Sequence, residues 1–103
     1  LTKNELIALT GIDKNTSGQF RYFSSGMKQK LRLTLAFAAD TDLLLMDEPL
    51  SNLDQAGYKW YAEMVERFSK DRTVLVCSNM VKDETYFCER HLNIEEFKKP
   101  ASI

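Results

Sequence analysis

The sequence predicts an α/β fold organised around one parallel β-α-β unit. Two apolar runs, Leu43-Leu44-Leu45-Met46 and Val74-Leu75-Val76-Cys77, flank a stretch of helical periodicity. Each run is short and stops at polar residues: Asp47-Glu48-Pro49 after the first, Ser78-Asn79 after the second. A strand, a helix of about four turns and a second strand form a crossover unit whose strands run parallel.

The elements follow in order. Residues 3–10 place Leu6 and Leu9 on one helical face, and Gly11 supplies a C-terminal stop. Asp13 to Ser17 and Gly18 read as a polar loop. A helix is expected from about Ser25 to Asp40. In its second half the apolar residues Leu33, Leu35, Ala36, Phe37, Ala38 and Ala39 go most of the way round, which predicts burial there. Leu43 to Met46 alone fits strand or helix; its brevity and the Asp-Glu-Pro stop favour a buried strand. Gln55 to Lys70 carries Tyr58, Tyr61, Ala62, Val65 and Phe68 at helical spacing, and its aromatic residues read as packing and surface cover. Val74 to Cys77 is the second strand, with Cys77 as a small buried hydrophobe. A third helix is expected over Met80 to Glu89, a short strand over Leu92 to Ile94, and a frayed tail over Lys98 to Ile103.

Bulk properties exclude several classes. At 103 residues the chain holds at most one small domain. A formal net charge of −1 argues against charge-driven binding to nucleic acid or anionic membrane. The longest apolar run, Leu35 to Ala39, is far too short to span a bilayer, so no direct membrane insertion is expected. Cys77 and Cys88 make no CxxC pair and have no metal-ligand spacing, which suits a reducing compartment. The chain opens at Leu1 rather than Met, as a piece of a longer protein would.

The parallel unit has a chemical consequence. Adjacent strands lie about 5 Å apart, and both end on the same sheet edge, where ligands of open parallel sheets usually bind. Asp47 and Glu48 therefore share an edge with Ser78 and Asn79. Mg²⁺ is a hard cation that takes few protein oxygens and keeps several waters, a role that suits Asp47. Glu48 points elsewhere and is placed to polarise an attacking water. The plainer reading is a solvated strand exit. Ser24-Ser25-Gly26 is equally double-edged. Serines before an apolar helix are usually N-caps, yet a helix N-terminus with hydroxyls and a glycine is also a ready anion site.

Taken together, Phe23-Ser24-Ser25-Gly26-Met27-Lys28-Gln29, Leu43 to Glu48 and Ser51-Asn52-Leu53-Asp54 resemble the signature motif, Walker B motif and D-loop of ATP-binding-cassette (ABC) transporter ATPases. The likeness covers nearly the whole chain. It implies a partial P-loop NTPase fold of ABC type: residues 1–24 as the end of the helical subdomain and signature, 25–97 as part of the α/β core, and 98–103 as a tail. By that resemblance Ser24, Ser25 and Gly26 contact the γ-phosphate of ATP held by a partner domain. Asp47 supports Mg²⁺ through water, Glu48 is the catalytic carboxylate, and Ser51, Asn52 and Asp54 form the D-loop. The implied partners are a second nucleotide-binding domain and transmembrane permease subunits, at the cytoplasmic side of the membrane.

Two departures bear on activity. Asn79 stands where the family has its switch histidine; an amide can hydrogen-bond a γ-phosphate but carries no positive charge. The sole histidine, His91, lies about a dozen residues too late and reads as a surface or strand-edge residue. The phosphate-binding Walker A loop needs two glycines and a lysine at set spacing, and Gly11, Gly18, Gly26 and Gly57 offer no such match. ATP and Mg²⁺ are therefore expected in a complete domain and not on this chain alone, which is expected to be inactive and to self-associate. The rival reading is a truncated, non-catalytic ABC-like interaction or structural module.

Overall fold

The computed structural model describes residues 2–12, 24–79 and 81–97. The expected loop at 13–18, Phe23, Met80 and the expected tail at 98–103 lie outside the described residues.

Helix α1 spans Lys3–Thr10. Its start is a capping box: the Glu5 N–H donates to Thr2 Oγ1 at 3.1 Å, and the Thr2 N–H donates to Glu5 Oε2 at 2.9 Å. Gly11 ends it at φ 68°, a left-handed backbone that glycine adopts without strain. Helix α2 spans Ser25–Ala38, stopping two residues before the expected Asp40. It buries Leu33, Thr34 and Phe37, but Leu35 is 54% exposed and Ala39 is exposed. The all-round burial read from composition is corrected: the core covers one side of this helix only.

Strand β1 (Leu43–Asp47), helix α3 (Gln55–Phe68) and strand β2 (Thr73–Cys77) form the expected parallel unit. The register pairs Leu43 with Thr73, Leu45 with Leu75 and Asp47 with Cys77. Alternation along a strand sends successive side chains to opposite faces. Leu44 and Met46 face the core, while Leu43, Leu45, Leu75 and Cys77 are exposed on the other face. The expectation of a buried Cys77 is thus overturned: it is exposed, because the described helices pack on one side of the sheet only. The core joins Leu33 and Phe37 of α2, Leu44 and Met46 of β1, Leu50, and Tyr61, Met64 and Val65 of α3. Each such side chain contributes about 1.5–3 kcal/mol on full burial.

Arg72 fastens the corners of this unit. Its guanidinium donates to the carbonyls of Phe37 (2.8 Å), Ala36 (3.4 Å), Phe68 (3.3 Å) and Thr41 (2.9 Å), and to Thr41 Oγ1 (2.7 Å). The ends of α2 and α3 present carbonyls without intrahelical partners and negative dipole ends, and one planar cation serves both. Trp60 ties α1 to the same unit, its indole N–H donating to the Leu9 carbonyl at 2.7 Å.

The C-terminal region departs most from expectation. Of the helix expected over Met80 to Glu89, the structure forms only α4, Lys82–Thr85. The chain turns beyond it, the Cys88 N–H donating to the Thr85 carbonyl at 2.9 Å, and Phe87 packs on Tyr61 with ring centroids 6.5 Å apart. Packing this one ring into the core competes with continuing the helix. The strand expected at Leu92 to Ile94 is absent among the described residues; Ile94–Phe97 is a 3₁₀ turn. Asn93 Oδ1 accepts the Glu95 N–H at 3.0 Å, a local bond that favours a turn over a ladder. His91 is exposed.

Candidate functional site

Glu48 directly follows β1, and its N–H extends the sheet by one bond, donating to the Cys77 carbonyl at 2.7 Å. Its φ is 44°, a left-handed backbone that costs a non-glycine residue about 1–2 kcal/mol. Such conformations persist where surrounding bonds over-determine them. Here the Glu48 carbonyl accepts the Ser51 N–H at 3.0 Å. Gln29 of α2 adds Nε2–H bonds to the carbonyls of Pro49 (3.0 Å) and Glu48 (3.4 Å). The chain thus turns sharply out of β1, and Pro49 and Leu50 are buried while Asp47, Glu48, Ser51 and Asn52 stay exposed.

An open groove of about 350 Å³ lies at this sheet edge. Its lining includes Glu48, Ser51, Asn52, Tyr58, Asn79 and Glu84. Four of the residues singled out in the sequence therefore share one surface: Glu48, Ser51, Asn52 and Asn79. Asp47 sits beside it at the end of β1 and is not part of the lining. Asp54 is turned away, its Oδ1 accepting the Gly57 N–H at 2.9 Å as the N-cap of α3.

Ser24 likewise serves as an N-cap, its Oγ accepting the Met27 N–H at 3.1 Å. The plainer of its two readings holds for the hydroxyl oxygen, and the O–H remains able to donate. The amides of Ser25 and Gly26 open the helix, where positive dipole character is strongest. Gly26 faces the Asn52 backbone: a β-carbon there would lie 2.9 Å from the Asn52 carbonyl oxygen. The helix start and the Ser51-Asn52 turn are in direct contact because residue 26 has no side chain.

Sequence reading missed four contributors. Gln29 holds the turn, as described. Gly57 admits Leu53, whose Cβ would lie 2.8 Å from an added β-carbon; a glycine early in a helical stretch was the available signal. Arg72 acts across the chain and leaves no local trace. Glu84 is 2% exposed, and its Oε2 accepts the Leu50 N–H at 2.9 Å. Its Oε1 accepts the Ser78 hydroxyl, and its backbone carbonyl accepts the Tyr61 O–H at 2.8 Å. An acid in a polar stretch reads as solvated, so nothing in the sequence marked it.

Among the described residues no group of three or more His, Cys, Asp or Glu side chains is arranged to hold a metal. Mg²⁺ keeps most of its waters and needs few protein oxygens, so the single exposed carboxylate of Asp47 meets its looser demand. No helix of the described residues is long and apolar enough to cross a membrane.

No protein-family model matches the chain, and no solved structure matches it. Curated proteins do. Nod factor export ATP-binding protein I of Burkholderia orbicola (strain AU 1054) is 28% identical over 97 residues, which are 93% of this chain and 32% of that protein. The uncharacterized ABC transporter ATP-binding protein YhcH of Bacillus subtilis (strain 168) is 27% identical over 89 residues, 84% of this chain and 29% of that protein. ATP-binding cassette sub-family A member 17 of Mus musculus is 28% identical over 86 residues, 84% of this chain and 5% of that protein. The chain is therefore a distant relative of ABC transporter ATP-binding proteins and corresponds to part of an ABC ATPase domain. It spans about a third of the length of the first of these relatives.

Proposed function

We propose that this chain supplies the signature, Walker B and D-loop portion of an ABC-type ATPase that powers solute transport across a membrane. The observation that carries the proposal is the gathering of Glu48, Ser51, Asn52 and Asn79 around one groove at the C-terminal edge of a parallel sheet. Exposed carboxylates fixed at a strand exit can orient water and support a cation without collapsing onto a neighbour.

In this reading Glu48 accepts a proton from the attacking water, and its left-handed backbone aims it off the strand axis. Asn79 donates an amide hydrogen bond to the γ-phosphate. Asp47 would hold Mg²⁺ through water, and the ion would supply neutralisation of phosphate charge. Ser24, through its free O–H, and the amides of Ser25 and Gly26 meet the γ-phosphate of a nucleotide seated on a second nucleotide-binding domain. Ser51 and Asn52 cross to that same partner. Asp54 acts from behind by capping α3 and holding the turn's far end. The phosphate loop comes from residues other than these, permease subunits select the solute, and the assembly works at the cytoplasmic face.

The test is Glu48→Gln in an ATPase assembled from this chain and a phosphate-loop-bearing half. The amide keeps the shape and loses the base, so ATP binding persists while hydrolysis falls roughly 10²-fold or more. Near-normal turnover would move the catalytic role to another residue.

The uncovered apolar sheet face of Leu43, Leu45 and Leu75 favours a second reading, a non-catalytic interaction module. Unchanged ATP affinity of the assembled protein on removal of this chain would support that alternative.

A further inference from the structure

The buried carboxylate of Glu84 is not explained by the chemistry assigned to the groove, yet it touches both sides of it. Its Oε2 accepts the N–H of Leu50, in the turn that Glu48 opens, and its Oε1 accepts the hydroxyl of Ser78, the residue before Asn79. A carboxylate with 2% exposure is costly to bury without such bonds. Its position is set in turn by α3, because Tyr61, fully buried, donates its O–H to the Glu84 carbonyl.

Other candidates carry less. Cys77 and Cys88 are isolated thiols. Among the described residues nothing is seated on the face of Leu43, Leu45 and Leu75. The groove beside Glu5, Ala8, Leu9 and Arg67 gathers no chemistry beyond one carboxylate and one guanidinium.

We propose that Glu84 is a positioning residue: its carboxylate locks the turn after Glu48 to the exit of β2, fixing Glu48 in its left-handed backbone and at a set separation from Asn79. Glu48 is held on its N-terminal side by the Cys77 carbonyl, at 2.7 Å. Two residues later Leu50 is held by Glu84, at 2.9 Å. A strained φ between two anchors cannot relax to the extended region unless one anchor yields. Of the anchors on this turn, the backbone bonds are sequence-independent; the Gln29 amide and the Glu84 carboxylate are the ones that residue choice controls, and of these two only Glu84 ties the turn to the exit of β2. The consequence for catalysis rests on the function proposed above, whereas the consequence for Glu48's backbone does not.

Nuclear magnetic resonance on the chain tests the geometry through two variants. Glu84→Met fills the same space and accepts nothing; Glu84→Gln keeps an oxygen for Leu50 and an amide for Ser78. In Glu84→Met the Leu50 amide exchanges faster by about tenfold or more, and Glu48 loses the strong intraresidue N–H to Hα contact of a left-handed residue. The Phe37–Tyr61 ring contacts persist in that variant. In Glu84→Gln both signatures survive. A folded Glu84→Met chain that keeps a left-handed Glu48 overturns the proposal. Should that variant not fold, Glu84→Asp decides: its carboxylate is one methylene too short to span both partners, so Leu50 protection falls, and retained protection overturns the idea.

In the assembled ATPase, Glu84→Met lowers kcat about tenfold or more with KM for ATP unchanged, and Glu84→Gln restores it. A raised KM with unchanged kcat overturns the positioning role. If Glu48→Gln has no effect there, the functional reading fails while the resonance result still judges Glu84.

Discussion

Gly26 and Asn52 touch backbone to backbone: a β-carbon on Gly26 would stand 2.9 Å from the Asn52 carbonyl oxygen. The glycine was expected to admit a phosphate. In the structure it first admits a neighbouring turn, so the start of α2 and the Ser51-Asn52 segment form one unit. Asn52 itself has φ 65°, so this turn has little freedom to retreat.

Gly26→Ala therefore forces the turn outward. The expected loss of stability is about 1–3 kcal/mol, the usual cost of overpacking. Urea denaturation measures it, and amide shifts at Ser51, Asn52 and Leu53 locate it. Unchanged stability with unchanged shifts would contradict the contact.

Arg72 is expected to tolerate no conservative exchange. Lysine offers one ammonium where the guanidinium reaches carbonyls of two helix ends and Thr41 at once. Arg72→Lys should cost about 1–3 kcal/mol through carbonyls left unmet, read as a lower denaturation midpoint. A midpoint within error of the parent chain would mean that water replaces the bonds freely.

How much of this was legible beforehand divides along physical lines. The parallel unit, α1 and its glycine stop, and the shared edge of Glu48 and Asn79 follow from periodicity and local stop signals, which the sequence carries directly. What periodicity cannot say is which face is covered. Leu45 and Leu44 are identical residues, one 60% and the other 2% exposed. Long-range polar bonds are equally silent: Glu84 reaches back 34 residues to Leu50, and no neighbour in sequence advertises the link. The helix expected over Met80 to Glu89 shortens to Lys82–Thr85 because Phe87 is drawn to Tyr61, a contact distant along the chain that local sequence does not show.

Alkaline pH should destabilise the chain through Tyr61. Burial, reinforced by Cys88, Glu84 and Tyr86 nearby, raises its phenol above the ordinary range. Unfolded tyrosines ionise near pH 10, whereas the folded one resists. Its contribution is thus complete below about pH 10 and is lost as pH rises from there toward the folded value. The denaturation midpoint should fall above about pH 10. Tyr61→Phe should start about 1 kcal/mol lower at neutral pH, from the unmet Glu84 carbonyl, and lose less at high pH. Tyr86 and Cys88, also raised by burial, add slope of the same sign. Parallel profiles for the two chains would remove Tyr61 from this role.

The bare sheet face should drive self-association. Leu43, Leu45 and Leu75 are 49%, 60% and 54% exposed, and among the described residues the sheet has two strands, each with one unpaired edge. Light scattering should show species above the monomer mass, and Leu45→Lys with Leu75→Lys should shift the distribution to monomer. Amides of Val74 to Cys77 should exchange slowly in the associated state. A monomeric chain with freely exchanging amides there would count against both the face and the edges as contacts.

Trp60 is the only tryptophan in the chain, and its indole N–H ends on the Leu9 carbonyl while the Lys30 ammonium stands 5.5 Å from its ring centre. Three helices thus converge on one chromophore. Undocking α1 would strip the indole of its acceptor and admit solvent, shifting emission to the red, whereas loosening the groove would leave it untouched. The chain carries its own optical gauge, and it can separate motion of the leading helix from events at the sheet edge without any label.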